Sequence, residues 1–115
     1  MRSRSAGALR DIAENLKLAQ EFVAGMDWET FRQDRRTVYS VVRCFEIVSE
    51  ASRRLGEDIK ARHPHLAWRA LAAAGNIYRH EYERVAEVFV WSALQNDVEA
   101  LLAAVETELA RPENQ

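Results

Sequence analysis

Residues 34–56 read DRRTVYSVVRCFEIVSEASRRLG, and this stretch decides the fold. Asp34 is a suitable N-cap and Gly56 a suitable stop, so the pattern predicts a helix from about Asp34 to Leu55. The apolar residues cover most of its circumference: Val38, Val41, Val42, Cys44, Phe45, Ile47, Val48, Ala51 and Leu55. A helix with so wide an apolar arc is usually covered on more than one side. In a chain this small, a second copy of the chain is one candidate for that cover.

Four polar residues of the same helix fall on one narrow stripe. Successive helical residues are rotated by about 100°, which aligns Tyr39, Arg43, Glu46 and Glu50. Such a stripe is either a solvated face or the polar wall of a cleft. The sequence alone leaves both interpretations open.

Helical patterns also explain the sequence on either side of this stretch. They predict three further helices, from about Ser5 to Val23, from about Ala67 to His80, and from near Ala86 to a point before Pro112. Gly25 closes the first of these, Asp27 caps a short turn, and a second short turn covers 57–62. The sequence therefore predicts an all-α, antiparallel bundle of four to five helices in a single domain spanning 1–115.

The composition is that of one folded domain. The 115 residues are 48% hydrophobic and 30% charged, with 4 Gly and 2 Pro, which argues against disorder and against a many-stranded sheet. No apolar run is long enough to cross a membrane, and no apolar stretch follows the basic N-terminus. We therefore expect no membrane association and no secretion, which leaves the cytoplasm as the expected location.

The charges are unevenly distributed along the chain. Residues 32–80 carry ten Arg or Lys against five Asp or Glu, whereas residues 81–115 carry two against eight. Fourteen of the sixteen basic residues are arginine, whose planar fork suits phosphate. The basic centre thus points to a phosphate-bearing partner, and a codon preference for arginine is the alternative explanation.

The end of the predicted helix 67–80 carries a possible catalytic set. Asn76 and His80 are four residues apart and therefore neighbours on one face, with Arg79 about a quarter turn away and Tyr82 two residues beyond His80. An imidazole for proton transfer, an amide to orient it and arginines for anionic oxygens would suit a phosphate site. A histidine near a helix C-terminus is also favoured by the helix dipole, so a structural role stays open.

Metal and thiol chemistry have weaker support. The three histidines, His63, His65 and His80, lack metal-ligand spacing, so we expect no metal and no other cofactor. Cys44 lies in the apolar arc and cannot form a disulfide within the chain, so a buried, unreactive thiol is expected.

Three segments resemble the HepT-like group of HEPN-domain proteins. RCFEIVSEA at 43–51 is similar to that family's Arg-x-Leu-Glu-x-Ile-Gly-Glu-Ala helix, and HPHLAW at 63–68 to its His-Pro-x-Ile-Pro-Trp. NIYRHEY at 76–82 is similar to its Arg-Asn-x-x-x-His-x-Tyr, without the arginine. Residues near the C-terminus also fit the family's last helix: Val90, Trp91, Asp97 and Leu101. The resemblance covers nearly the whole chain in the correct order.

The resemblance implies a homodimeric helical bundle that acts as the toxin of a two-gene toxin–antitoxin module. Such proteins resemble metal-independent ribonucleases, with tRNA or mRNA as the RNA substrate. The implied partner is a small MntA-like nucleotidyltransferase that neutralises the toxin by adding AMP to a tyrosine. Carried over to this chain, His80 is the catalytic histidine, Asn76 its polar companion and Tyr82 the AMP acceptor. The cleft containing them would lie beside Arg43, Glu46 and Glu50, near the twofold axis.

The sequence departs from this family at two positions. Gly75 stands where the motif arginine is expected, and Ser49 stands where the family has glycine. Arg79 and Arg43 are the candidates to replace the missing guanidinium, and Gly75→Arg is expected to raise activity if neither does. Three functions follow: a ribonuclease toxin that uses His80 from two protomers, a catalytically weak or inactive HEPN subunit that binds nucleotide or RNA and partners a minimal nucleotidyltransferase, and a purely structural dimer.

Overall fold

The structure, a computed structural model, describes residues 4–80 and 83–115, with side chains for 4–75 and 86–115. Seven α-helices and a 3₁₀ turn at Pro112–Asn114 occur in these ranges: α1 Ala6–Phe22, α2 Trp28–Gln33, α3 Arg35–Arg53, α4 Glu57–Arg62, α5 Trp68–His80, α6 Glu83–Asn96 and α7 Val98–Leu109. No strand occurs within them. The predicted all-α class is confirmed, with five long helices and two short ones.

The central element is α3. It packs most extensively on α1 and α5, and it also contacts α2 and α6. Its side chains Val38, Val41 and Val48 are fully buried within one chain. Most of the wide apolar arc is thus covered from inside the domain without a second copy of the chain, and Val42 and Ile47 are partly buried.

Side-chain caps begin two helices where the sequence predicts them. The Thr30 amide donates to Asp27 Oδ1 (2.8 Å) at the start of α2, and the Thr37 amide donates to Asp34 Oδ1 (3.2 Å) at the start of α3. Hydrogen bonds from Thr37 also hold the pKa of Asp34 below its ordinary value. After α1, Gly25 takes a φ of 79°, a backbone conformation that favours glycine.

The short helix α2 is held by aromatic packing. Phe31 is fully buried, and its ring centroid lies 5.0 Å from that of Trp91 on α6. Trp28 lies 6.2 Å from Phe31 and 6.1 Å from Trp91, which closes the cluster. Aromatic pairs at these separations add to the stabilisation from buried area.

The prediction of one continuous last helix is wrong, because the structure divides this segment into two helices at Asp97. The segments before and after this residue differ in direction by 62°. Asn96 and Asp97 have short polar side chains that compete for backbone hydrogen bonds and weaken a helix interior. The turn lets α7 lie along α1 and bury Val98 and Val105. No single helix in the described ranges is both long and apolar enough to cross a membrane.

A buried carboxylate connects α7 to the segment that leads into α5. Glu108 is 2% exposed and accepts two hydrogen bonds from Arg62, at 2.6 and 3.0 Å. Its Oε2 atom, which accepts from Arg62 Nε, also lies 2.8 Å from His63 Nε2. The Trp68 indole N–H then donates to the His63 carbonyl (3.0 Å), so the start of α5 is fixed to this cluster.

Candidate functional site

A groove of about 250 Å³ lies between α3 and α5. Its lining comprises the following residues: Arg43, Glu46, Ser49, Glu50, Arg53 and Gly75. The predicted site residues Arg43, Glu46 and Glu50 are therefore brought together, and the polar stripe of α3 forms the wall of a cleft. Tyr39, at the other end of the stripe, is exposed.

The floor of the groove is a close contact between the two helices. The Gly75 amide donates to Ser49 Oγ (3.0 Å), and the Ser49 hydroxyl donates to the Ala72 carbonyl (2.9 Å). A Cβ atom at position 75 would lie 2.8 Å from Ser49 Oγ and 3.4 Å from Ser49 Cβ, which is too close without movement. The two departures from the family pattern, Ser49 and Gly75, are thus in direct contact and fit each other.

Each arginine of the groove has a carboxylate beside it. Arg53 Nη1 lies 2.9 Å from Glu50 Oε2, and Arg43 Nη1 lies 3.9 Å from Glu46 Oε2. Arg53 also reaches across to α5, where Nη2 donates to the Ala72 carbonyl (2.7 Å). These four charged side chains sum to zero. The groove can offer guanidinium groups to an anion once the carboxylates release them.

The other predicted site residues lie at or beyond the end of the described side chains. Asn76, Arg79 and His80 belong to the last turns of α5, and their side chains are outside the described part of the chain. Tyr82 is outside the described residues altogether. The groove as described thus ends at Gly75, the residue before Asn76.

Sequence reasoning missed Arg53. The stripe of Arg43, Glu46 and Glu50 advances by three and four residues, and one further step of three reaches Arg53. That continuation was the signal that could have found it. Its contact with Ala72, by contrast, depends on how α3 and α5 cross.

A larger hollow of about 460 Å³ lies between the start of α5 and the α6–α7 turn. Trp68, Leu71 and Phe89 give it mainly apolar walls. The groups suited to binding phosphate lie in the smaller groove instead, so we place the candidate site there.

The described side chains include no cluster of three or more His, Cys, Asp or Glu that could hold a metal ion. Cys44 is buried, as the sequence predicted. Burial raises the pKa of its thiol, which favours the unreactive protonated form.

Fold and site together define a helical-bundle protein with an arginine-bearing groove between two central helices. Residues 12–108 match the family described as Ribonuclease HepT-like. The chain belongs to this HepT-like ribonuclease family, as its motifs predicted.

Relatives of the chain carry names of the same kind. It is 34% identical over 93 residues to the "Probable ribonuclease HepT" of Thermococcus cleftensis, covering 81% of this chain and 84% of that protein. It is 30% identical over 98 residues to a protein named "Putative RNase" from Methanocaldococcus jannaschii, covering 85% and 90%. A "Putative RNase" of Caldanaerobacter subterraneus is 26% identical over 93 residues, covering 81% and 83%. No solved structure matches the chain.

Proposed function

We propose that this chain is a metal-independent ribonuclease that binds RNA in the α3–α5 groove and acts in the cytoplasm as the toxin of a toxin–antitoxin module. The family match over residues 12–108 carries the proposal. The groove supports it, because Arg43 and Glu50 face Gly75 on the helix that carries Asn76 and His80. Metal independence and the toxin role follow from the resemblance in the motifs.

The chemistry is an in-line transfer within the RNA. The 2′-oxygen forms a bond to the adjacent phosphorus, and the bond from phosphorus to the 5′-oxygen breaks. One His80 imidazole takes the proton of the 2′-hydroxyl, and a second His80, from the twofold-related chain, gives a proton to the 5′-oxygen. Asn76 orients the imidazole, and guanidinium groups such as those of Arg43 and Arg79 stabilise the charge on the phosphate oxygens.

Incubation of the purified protein with total RNA in EDTA tests this function. We expect RNA fragments from the wild type and none from His80→Ala. His65→Ala is the matched control, because His65 is an exposed loop residue, and it should cleave like the wild type. Loss of cleavage in EDTA that magnesium restores would contradict metal independence.

Neutralisation is proposed to occur by transfer of AMP to Tyr82 from an MntA-like nucleotidyltransferase. The added phosphate would compete with RNA for the groove arginines, and the adenosine would obstruct His80. Mass spectrometry of the protein co-expressed with this partner should show a gain of one or more AMP units that is lost in Tyr82→Phe. A modification that persists in this variant would assign it to another residue, Tyr78 being the next candidate.

The second candidate is a catalytically weak or inactive subunit that binds nucleotide or RNA beside the nucleotidyltransferase. Two observations favour it: Gly75 replaces the motif arginine, and each groove arginine is paired with a carboxylate. Growth arrest on expression that is lost with His80→Ala would support the ribonuclease. Binding of RNA without cleavage or growth arrest would support the second candidate.

A further inference from the structure

The Arg53 side chain lies next to position 75, where the family motif has an arginine. Its Nη2 atom lies 3.7 Å from the point where a Cβ of residue 75 would be. The side chain starts on α3, yet its guanidinium is bonded to the Ala72 carbonyl of α5 (2.7 Å). The guanidinium of Arg53, a residue of α3, therefore lies beside position 75 of α5.

Arg53 is better fixed in the groove than Arg43. The Arg43 side chain is 70% exposed and lies 3.9 Å from Glu46, a weak ion pair. Arg53 is 37% exposed and is held from both helices, by Glu50 and by Ala72. A group that is already oriented loses less freedom when it binds an anion.

Arg53 also keeps donors for a ligand. A guanidinium has five N–H groups, and the hydrogen bonds that Arg53 donates to Glu50 and Ala72, within the described part of the chain, use two of them. The Glu50 pair is exposed and contributes little by itself, so a phosphate that accepts two parallel hydrogen bonds can displace it.

The contact between Ser49 and Gly75 explains why the groove has an arginine at position 53 and none at position 75. A side chain at position 75 would begin 2.8 Å from Ser49 Oγ and would bring a second positive charge beside Arg53. The glycine leaves the room that Ser49 and Arg53 use.

We propose that Arg53 contacts the scissile phosphate of RNA and replaces the arginine absent at position 75. The inference rests on the proposed function for its substrate, although the contact itself requires only that the groove bind a phosphodiester. Arg53 then takes the place of the missing motif arginine, and Arg43 and Arg79 act as additional cations at the phosphate oxygens.

The test measures binding of a 2′-O-methyl oligoribonucleotide, which cannot be cleaved by the proposed chemistry, at several salt concentrations. Arg53→Gln can still donate to the Ala72 carbonyl but has no charge. It should bind at least about tenfold more weakly. The slope of the logarithm of its association constant against the logarithm of salt concentration is negative, and this slope should become shallower by about 0.7, the value for one phosphate contact on a single strand. Arg53→Lys should retain the wild-type slope.

Arg54→Ala is the matched control, because Arg54 pairs with Asp11 of α1 at 2.8 Å and does not line the groove. It should bind like the wild type. The triple variant Ser49→Gly/Gly75→Arg/Arg53→Gln should recover the wild-type slope, since it moves the guanidinium back to α5. Thermal melting of each variant identifies any that fail to fold.

Cleavage assays run in parallel separate the two proposals. If wild type and His80→Ala cleave RNA equally, or neither does, the ribonuclease proposal fails, and the binding slopes still decide the role of Arg53. If the folded Arg53→Gln protein keeps the wild-type affinity and slope, the Arg53 proposal is overturned, whatever the cleavage result.

Discussion

Ser49 and Gly75 are fitted to each other across the contact of α3 and α5. The Ser49 hydroxyl accepts from the Gly75 amide (3.0 Å) and donates to the Ala72 carbonyl (2.9 Å), and it does so in space that a Cβ would take. Taken separately, each residue is a departure from the family pattern. Together they form a specific helix contact, so neither can be changed without regard to the other.

Gly75→Ala is therefore expected to destabilise the protein. Alanine gains about 1 kcal/mol of helix propensity over glycine, but the crowding at Ser49 costs typically 1–3 kcal/mol, so we expect a net loss of about 1 kcal/mol. Urea unfolding measures the difference. Gly75→Arg adds a charge to the same clash, so it should lose stability unless Ser49→Gly accompanies it.

Two controls separate the clash from helix propensity. Gly7 lies in α1, where an added Cβ would meet nothing beyond its own stretch of helix backbone closer than 4.0 Å, so Gly7→Ala should stabilise the protein by up to about 1 kcal/mol. In a Ser49→Gly background, Gly75→Ala should also become stabilising. A stabilising Gly75→Ala in the wild-type background would show that the α3–α5 contact is looser than described.

At the level of elements, the groove depends on where α5 begins. Glu108 of α7 binds Arg62 and His63, and the chain then enters α5 with Trp68 bonded to the His63 carbonyl. Hydrogen bonds from Arg62 are the largest cause of the lowered pKa of Glu108, and those from His63 add to it. A carboxylate far from the groove thus helps to place the helix that carries its other wall.

Glu108→Gln should destabilise the protein at neutral pH by about 2 kcal/mol, because a nearly buried charge pair loses one partner. Since folding lowers the pKa of Glu108, its contribution is complete above the ordinary value of 4.5 and is lost as the pH falls through the lower folded value. Wild-type stability should therefore fall more steeply than that of the variant as the pH decreases below 4.5. Urea unfolding across this range measures both effects.

Glu106→Gln is the control for this prediction, because Glu106 forms an exposed ion pair with Lys17 at 3.2 Å. It should change the free energy of unfolding by no more than about 0.5 kcal/mol. Equal effects at the two glutamates would contradict the tethering role of Glu108.

For the whole molecule, dimerisation depends on the exposed surface of the chain rather than on its core. Most of the apolar arc of α3 is covered by α1, α2, α5 and α6 of the same chain, and Val42 and Ile47 are partly buried. The proposed dimer rests instead on the family resemblance and on the need for two proton-transfer groups where each chain offers one His80. Val88 and Phe89 of α6 are large apolar side chains that remain exposed in the single chain, which is consistent with a further contact.

We expect sedimentation equilibrium at micromolar concentration to give twice the 13.2 kDa of the chain. If cleavage needs both imidazoles of a dimer, an equal mixture with His80→Ala after subunit exchange should retain about half the rate of the same amount of wild type alone. A species of 13.2 kDa that cleaves RNA would contradict the dimer mechanism.

The sequence by itself determined the helical class and most helix positions. The caps Asp27 and Asp34 and the stop at Gly25 depend on groups within a few residues, so local chemistry suffices to predict them. The same holds for the polar stripe of α3, because helical rotation places Arg43, Glu46 and Glu50 together without help from other elements. The motifs also predicted the family, and the match over residues 12–108 confirms this prediction.

Only the tertiary structure decided what these elements do together. The break at Asp97 serves the packing of α7 on α1, and the burial of Glu108 brings it to Arg62, 46 residues away in the chain. The fit of Ser49 to Gly75 and the reach of Arg53 to Ala72 both depend on how closely α3 crosses α5. Periodicity fixes which face of a helix is apolar, but it contains no information on the distance between two helices, and that distance sets the shape of the groove.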